Sequence, residues 1–356
     1  MIAKTLQVNN FRNIEAASIE LHPELTVLHG RNAQGKTNML EAVFVASWGK
    51  SFRTQRETEL IRDGADSASV GLRFDSAGRE QEITCRFFAE KKREIEINGI
   101  PVRRAAELYG RFAAVLFVPA HLEIVRGAPE ERRRFLDMAL CREKPAVLTL
   151  MNNYRRALDQ RNRVLKDMQR FSGLDDMLSV WDARLVQLGS ALSAQRAAFC
   201  EKLAQSASRI YADLADGEEL IPEFEPGGGL TPDSYAEALA RARSDDERVG
   251  HTSVGAHRDD IRITVGGRDG RRFASQGQQR SAVIAMKLAE AELLRAATGE
   301  TPVLLLDDVL SELDAGRRGF LLERMTGMQR IVTACDASEF CDCAVYEVDA
   351  GSFVRI

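Results

Sequence analysis

Gly30-Arg31-Asn32-Ala33-Gln34-Gly35-Lys36-Thr37 reads G-x-x-x-x-G-K-T, and no other stretch restricts the fold as tightly. Such a pattern works as a phosphate loop only between a buried strand and the first turn of a helix. Both flanks fit. Leu25 to His29 (LTVLH) is a short apolar run of the kind that forms a buried strand. Beyond the loop, Met39, Leu40, Val43 and Phe44 fall at helical spacing. A strand, a glycine-rich turn and a helix start aim backbone N–H groups at one point, where an anion is welcome. Lys36 can then reach the β- and γ-phosphates of a nucleotide, and the Thr37 hydroxyl can ligate Mg²⁺. A chance match in a surface turn is the alternative, and the two flanks weigh against it.

The 356 residues allow two or three domains, or one large domain with an insertion. Net charge is −4 and the sequence pI about 5.9, so any contact with nucleic acid needs a local basic patch. The N-terminal stretch lacks the apolar core of a signal peptide. The longest apolar runs, Phe112 to Val118 and Val303 to Leu306, are too short to cross a bilayer. A cytoplasmic chain without a membrane partner is expected. The six cysteines (Cys85, Cys141, Cys200, Cys335, Cys341 and Cys343) show no CxxC spacing. Reduced thiols are favoured over zinc or disulfides, with Cys341-Asp342-Cys343 the one hint of a site.

Residues 2–8 and 16–21 read as strands around Asn10-Phe11-Arg12-Asn13. Arg12 could reach a bound phosphate or be a solvated loop charge. Gly49-Lys50-Ser51-Phe52-Arg53 suits a loop near a nucleotide or nucleic acid, and equally a plain connector. From Ala68 to Ile97 apolar residues alternate, with turns at Gly78 and Asn98-Gly99, as in an antiparallel meander. Phe112 to Val118 reads as a central strand ended by Pro119. Ala120 to Ala215 is helical in character, with Glu130-Glu131 at one helix start. Val147, Met151, Tyr154, Leu158, Leu165 and Met168 follow a 3.5-residue step that Arg161 alone interrupts. After Ser172-Gly173 the same step runs from Leu178 to Phe199, which predicts an antiparallel helical hairpin.

Glu225 to Gly229 reads as a linker and Tyr235 to Arg243 as a short amphipathic helix. Ile261 to Val265 is a strand with a hairpin turn after it, and Gln278 to Ala297 a long helix. Strands follow at Val303 to Leu306, Ile331 to Thr333 and, as an edge, Val345 to Val348. The fold class is α/β: a mixed sheet and an antiparallel meander with a helical second lobe. The expected divisions are residues 1–119, 120–250 and 251–356.

The strand Val303 to Leu306 ends in Asp307-Asp308. A carboxylate there, beside a phosphate loop, can hold Mg²⁺, and Asp308 can orient or deprotonate an attacking water. A structural pair would need cationic partners. Ser311 to Asp314 reads as an acidic helix start. Ser275-Gln276-Gly277-Gln278 opens the long helix. Ser275 can be a plain N-cap, or part of a second anion site of hydroxyl, glycine and free helix N–H groups.

The order of phosphate loop, long insertion, Ser275 turn and Asp-Asp strand resembles the ABC-type ATPases, whose signature is usually L-S-G-G-Q. Phe273-Ala274-Ser275-Gln276-Gly277-Gln278 departs from it. Asp308 stands where Glu is usual and Thr333 where a switch histidine is usual; near the expected glutamine position lies His121. Asn10 to Asn13, Gly30 to Asn38, Leu40-Glu41-Ala42, Ser51 to Arg53, Gly127-Ala128-Pro129 with Arg132, Arg133 and Asp137, Gly255 to Asp260, Ser275 to Arg280, and Leu306 to Asp314 narrow the match. Together they resemble the RecF family of DNA replication and repair proteins, over nearly the whole chain. Ala120 departs from the acidic residue usual there.

The resemblance implies the P-loop ATPase head of the SMC-like ABC proteins without their long coiled coil. It implies ATP and Mg²⁺ as ligands, with Lys36, Asp307 and Asp308 catalytic and Thr37 and Asp307 on the metal. The nucleotide would lie on Arg12 and Gly30 to Asn38, and on Ser275, Gly277 and Gln278 of a second copy in an ATP-dependent head-to-head dimer. It implies binding to DNA at gaps between single strand and duplex, work with RecR and RecO in loading recombinase, and slow turnover. Arg53, Arg56, Arg132, Arg133, Arg134, Arg155, Arg156, Arg161 and Arg163 are the candidate DNA contacts, each set against an ordinary solvated charge. Two other classes would use the same motifs: the nucleotide-binding subunit of a transporter, and a scaffold that binds nucleotide without turnover.

Overall fold

In chain order the elements of the computed structural model are β1 (Ile2–Phe11), β2 (Ile14–Glu20), β3 (Leu25–His29), α1 (Lys36–Trp48), β4 (Ser67–Ser76), β5 (Arg79–Phe88), β6 (Glu94–Ile97), β7 (Ile100–Pro101), α2 (Ala105–Leu108) and β8 (Ala114–Phe117). There follow α3 (Glu123–Arg126), α4 (Pro129–Glu143), α5 (Ala146–Met168), α6 (Asp175–Leu214), β9 (Leu220–Glu225), α7 (Pro232–Val249), β10 (Asp260–Val265), β11 (Arg268–Asp269) and α8 (Gln276–Thr298). The chain closes with β12 (Val303–Asp307), α9 (Ala315–Arg324), β13 (Arg330–Ala334), β14 (Ala344–Asp349) and β15 (Ser352–Arg355). All residues are described except 104, 216, 337–339, 341 and 342, so Cys341 and Asp342 lie outside the described residues. No disulfide joins the described cysteines.

Two compact units result: residues 1–121 with 290–356, and residues 122–289. Residues 251–289, expected with the third division, thus fall in the second unit, and the boundary lies within α8.

The first unit holds two six-stranded sheets, ordered β2-β1-β4-β5-β6-β7 and β15-β14-β3-β13-β12-β8. The first is antiparallel throughout. The second is parallel except for the β14–β15 hairpin. α1 packs against strands of both sheets. That explains why Lys36 and every residue from Met39 to Trp48 are buried, where spacing alone had suggested a single apolar stripe.

Two strand positions differ from the sequence reading. β8 is the last strand beside β12, not a central one. Its four residues are nonetheless all buried, and an apolar run reports cover on both faces rather than a central place in the sheet. β14 is not the edge either, because β15 pairs with it across a turn at Ala350-Gly351, both at positive φ. Asp349-Ala350-Gly351 was the turn signal for that hairpin.

In the second unit α5 and α6 form the expected helical hairpin, with Val164, Leu165 and Leu178 in one cluster joined by Met168, Leu174 and Trp181. Arg161, which interrupts the seam, is not an exposed cation. It is fully buried, donating to Asp182 at 2.6 Å, to Asp246 at 2.7 Å and to the Thr252 hydroxyl at 2.9 Å. Two carboxylates supply the charge that makes its burial tolerable. α7 is longer than the spacing suggested, and Thr231 and Ser234 cap its start reciprocally. β9 joins β10 and β11 in a small antiparallel sheet. Pro222 had hidden β9 from a strand reading.

Candidate nucleotide site and its supporting network

β3 delivers the chain to the loop and α1 carries it away, as the motif requires. Gly30 has φ +145° and a Cβ there would collide with the Val348 carbonyl, so only glycine fits. Gly35, at φ +120°, is the N-cap of α1, and a Cβ would sit 3.0 Å from Asn13 Oδ1. The start of α1 thus has no side-chain cap, which leaves its N–H groups to an anion. Gln34 anchors the loop. Its carbonyl accepts from Gly351 N at 2.8 Å and Asn13 Nδ2 at 3.1 Å, and its side chain accepts from Ala350 N at 2.7 Å. The Lys36 ammonium lies in the loop itself, donating to the carbonyls of Gly30 and, at 3.0 Å, Arg31.

The strand end and the helix start meet directly. Thr37 Oγ1 donates to Asp307 Oδ1 at 2.8 Å, and Thr333 Oγ1 donates to the same oxygen at 2.9 Å. Thr333 in turn accepts from Asp308 N at 2.9 Å. Burial pushes the Asp307 carboxyl above its ordinary value, as does the neighbouring Asp308, while the Thr37 and Thr333 hydroxyls and Arg53 act the other way. A buried carboxylate with that bias gains from a cation. Thr37 and Asp307 present adjacent hard oxygens, the donor set that suits Mg²⁺, which uses one or two protein ligands. Among the described residues no group of three His, Cys, Asp or Glu could hold a metal, so none suggests a zinc site. Asp308 sits at φ +54°, a conformation short polar side chains adopt, and Ser311 Oγ donates to its Oδ1 at 2.7 Å.

Behind the loop lies a residue to which no role was assigned from the sequence. Glu41 on α1 is fully buried. Arg12 grips both its oxygens, Ser51 Oγ donates to Oε1, and Arg53 reaches Oε2 at 3.3 Å. Arg53 also donates to Asn38 at 2.7 Å, and Asn38 to Asn13 at 2.7 Å. Arg12 is therefore not a solvated loop charge but the partner of a buried carboxylate. The signal in the sequence was one acid inside the apolar run Met39 to Val45.

Ser275 caps α8. Gln278 N donates to Ser275 Oγ at 3.2 Å and Ser275 N to Gln278 Oε1 at 2.8 Å, while Gln278 Nε2 reaches Glu218 at 2.6 Å. The N-cap geometry is present and both Ser275 and Gln276 remain exposed.

The candidate DNA contacts separate. Arg53 belongs to the loop network. Arg132 is buried, with a two-point pairing to Asp260 at 2.7 and 2.9 Å, which removes it from the surface. Arg133 is half-buried and donates to the Asp259 carbonyl at 2.8 Å. Arg56, Arg134, Arg155, Arg156 and Arg163 are exposed.

The family model described as "RecF/RecN/SMC N terminal domain" matches residues 2–348. A protein of Lachnoclostridium phytofermentans named DNA replication and repair protein RecF is 39% identical over 340 residues, covering 96% of this chain and 94% of that protein. Its namesake in Symbiobacterium thermophilum is 38% identical, covering 99% of this chain and 98% of that protein. The solved structure of the recombination mediator protein RecF-ATP in the RecFOR pathway superposes with TM-score 0.94 at 30% identity, over 100% of this chain and 97% of that one. An SMC head domain from Pyrococcus furiosus, at 16% identity and TM-score 0.58 over 100% of this chain and 96% of that one, shares the fold. The architecture is thus the α/β head of SMC- and RecF-type ATPases, with mixed and antiparallel sheets and a helical lobe.

Proposed function

The chain belongs to the RecF family of DNA replication and repair proteins, and on that premise we propose that it is an ATP-gated DNA-binding protein of recombinational repair. The observation that supports this best is the Thr37–Asp307 hydrogen bond at 2.8 Å, which joins the phosphate-loop helix to the carboxylate strand. Gly30 to Asn38 binds the triphosphate through loop N–H groups. Lys36 exchanges its two loop carbonyls for β- and γ-phosphate oxygens. Thr37 and Asp307 would hold Mg²⁺, which when bound neutralises charge on the phosphates. Asp308 orients the attacking water and accepts its proton.

Ser275, Gly277 and Gln278 of a second copy complete each site, so two heads close on two nucleotides and open after hydrolysis. Hydrolysis is slow and times release. The closed pair binds DNA where duplex meets single strand and acts with RecO- and RecR-type partners in loading recombinase. It works in the cytoplasm without a membrane partner. Arg12, held by Glu41 beside the loop, contributes to nucleotide binding.

Titration of a labelled gapped duplex, with and without ATP at two salt concentrations, tests this function. Tighter, salt-sensitive binding with ATP is expected; equal affinity in both states would contradict it.

A further inference from the structure

We propose that the outward face of α5 is a track for the phosphate backbone of duplex DNA. This deepens the DNA-binding reading and rests on it. The seam of α5 is turned inward, with Tyr154, Ala157, Arg161, Val164 and Leu165 buried. The opposite stripe, carried on into the turn after the helix, exposes Arg155, Arg156, Arg163, Lys166 and Arg170. Only Asp159 and Asp167 offset them there, in a chain whose net charge is −4.

None of those five cationic groups has an ion pair or side-chain hydrogen bond among the described residues. Elsewhere on the unit several surface arginines are answered by acids, although among the described residues Arg134, Arg258, Arg268, Arg271 and Arg272 are not. Arg241 pairs with Glu237, Arg243 with Glu247, Arg248 with Asp245, and Arg262 with Glu225. Arg163 and Lys166 are like charges one turn apart, an arrangement that weakens a helix unless an anion answers it. Arg156 and Arg163, seven residues apart, share one side of the helix at a separation of about 10 Å.

A row of unpaired cations on a straight support matches a rod of regularly spaced phosphates, and it reads charge rather than sequence. A membrane-seated helix would add exposed apolar side chains beside the basic row. Along α5 itself no large hydrophobic residue is exposed, and Phe171 and Met177 are exposed only beyond its end, in the turn and on α6.

The test compares two triple variants of the full chain. One is Arg156→Gln, Arg163→Gln, Arg170→Gln. The other removes three paired arginines at equal cost in charge: Arg241→Gln, Arg248→Gln, Arg262→Gln. Duplex affinity is measured with ATP from 50 to 200 mM salt. For the stripe variant the slope of log K against log salt should be shallower by about three, one per lost phosphate contact. The control should change by less than about one, since its arginines make no such contact. A stripe variant with the wild-type slope, or a control that loses as much, overturns the track. So does wild-type chain that binds phosphatidylserine vesicles in preference to duplex. Wild-type chain that binds no DNA at all would instead bring down the function on which the track rests.

Discussion

Arg12 and Glu41 meet side-on: Nε of the arginine lies 2.9 Å from one carboxylate oxygen and Nη2 2.9 Å from the other. The pair ties the β1–β2 turn to α1, one turn beyond Lys36 and Thr37. Glu41 is wholly buried, so its charge is tolerable only while the cation stays. Arg12→Ala should cost about 3–5 kcal/mol in urea unfolding, because it strands a buried carboxylate. Arg12→Lys should recover little, since a single ammonium cannot match two oxygens. An Arg12→Ala chain as stable as wild type would show that Ser51 and Arg53 alone satisfy Glu41.

Asp307 is held above its ordinary carboxyl value by burial. The sign follows from linkage. A raised folded value means its contribution to stability is complete below the ordinary value and is lost as pH rises through the folded one. At neutral pH the nucleotide-free chain therefore carries a costly charge. Asp307→Asn should raise its melting temperature at pH 7.5 while abolishing turnover. A lower melting temperature would mean that the carboxylate stabilises the empty site.

Asp308 holds a positive φ that asparagine also tolerates. Asp308→Asn should keep the backbone and the nucleotide affinity, and lower turnover by about 10²–10⁴ if the carboxylate accepts a proton. Single-turnover hydrolysis beside an ATP-binding titration separates the two effects. Turnover within a few-fold of wild type would leave water activation to another group.

His257 is a pH reporter for the helical unit. Its Nε2 lies 3.0 Å from the Thr252 carbonyl and so donates, which makes Nδ1 the acceptor of the Tyr154 hydroxyl at 2.8 Å. Burial pushes its pKa down to about 4. A depressed value means stability is present above the ordinary 6.5 and is lost as pH falls toward about 4, by about 3 kcal/mol. His257→Gln should flatten unfolding free energy across that window. An unchanged acid limb would assign the loss to other groups.

Much of this was legible because each feature was local. The phosphate loop, the Asp307-Asp308 strand end and the helical hairpin are patterns of adjacent or heptad-spaced residues. The positions of β8 and β14 were not, since an apolar run records burial and not strand order. Nor was the fate of the arginines. Arg132, Arg161 and Arg163 look alike in the sequence; what separates them is that Asp260, Asp182 and Asp246 fold against two of them. Glu41 was visible as an acid in an apolar helix, but its partners come from two separate segments, at Arg12 and at Ser51 to Arg53.

The most direct measurement is solution mass by light scattering, with and without ATP, for wild type and Ser275→Arg. If a nucleotide joins two copies through Lys36 of one and the Ser275 turn of the other, wild type should double in mass only with ATP. Ser275→Arg should stay single while still binding ATP. A wild type that remains single with ATP, or a Ser275→Arg chain that pairs as well as wild type, would contradict the composite site.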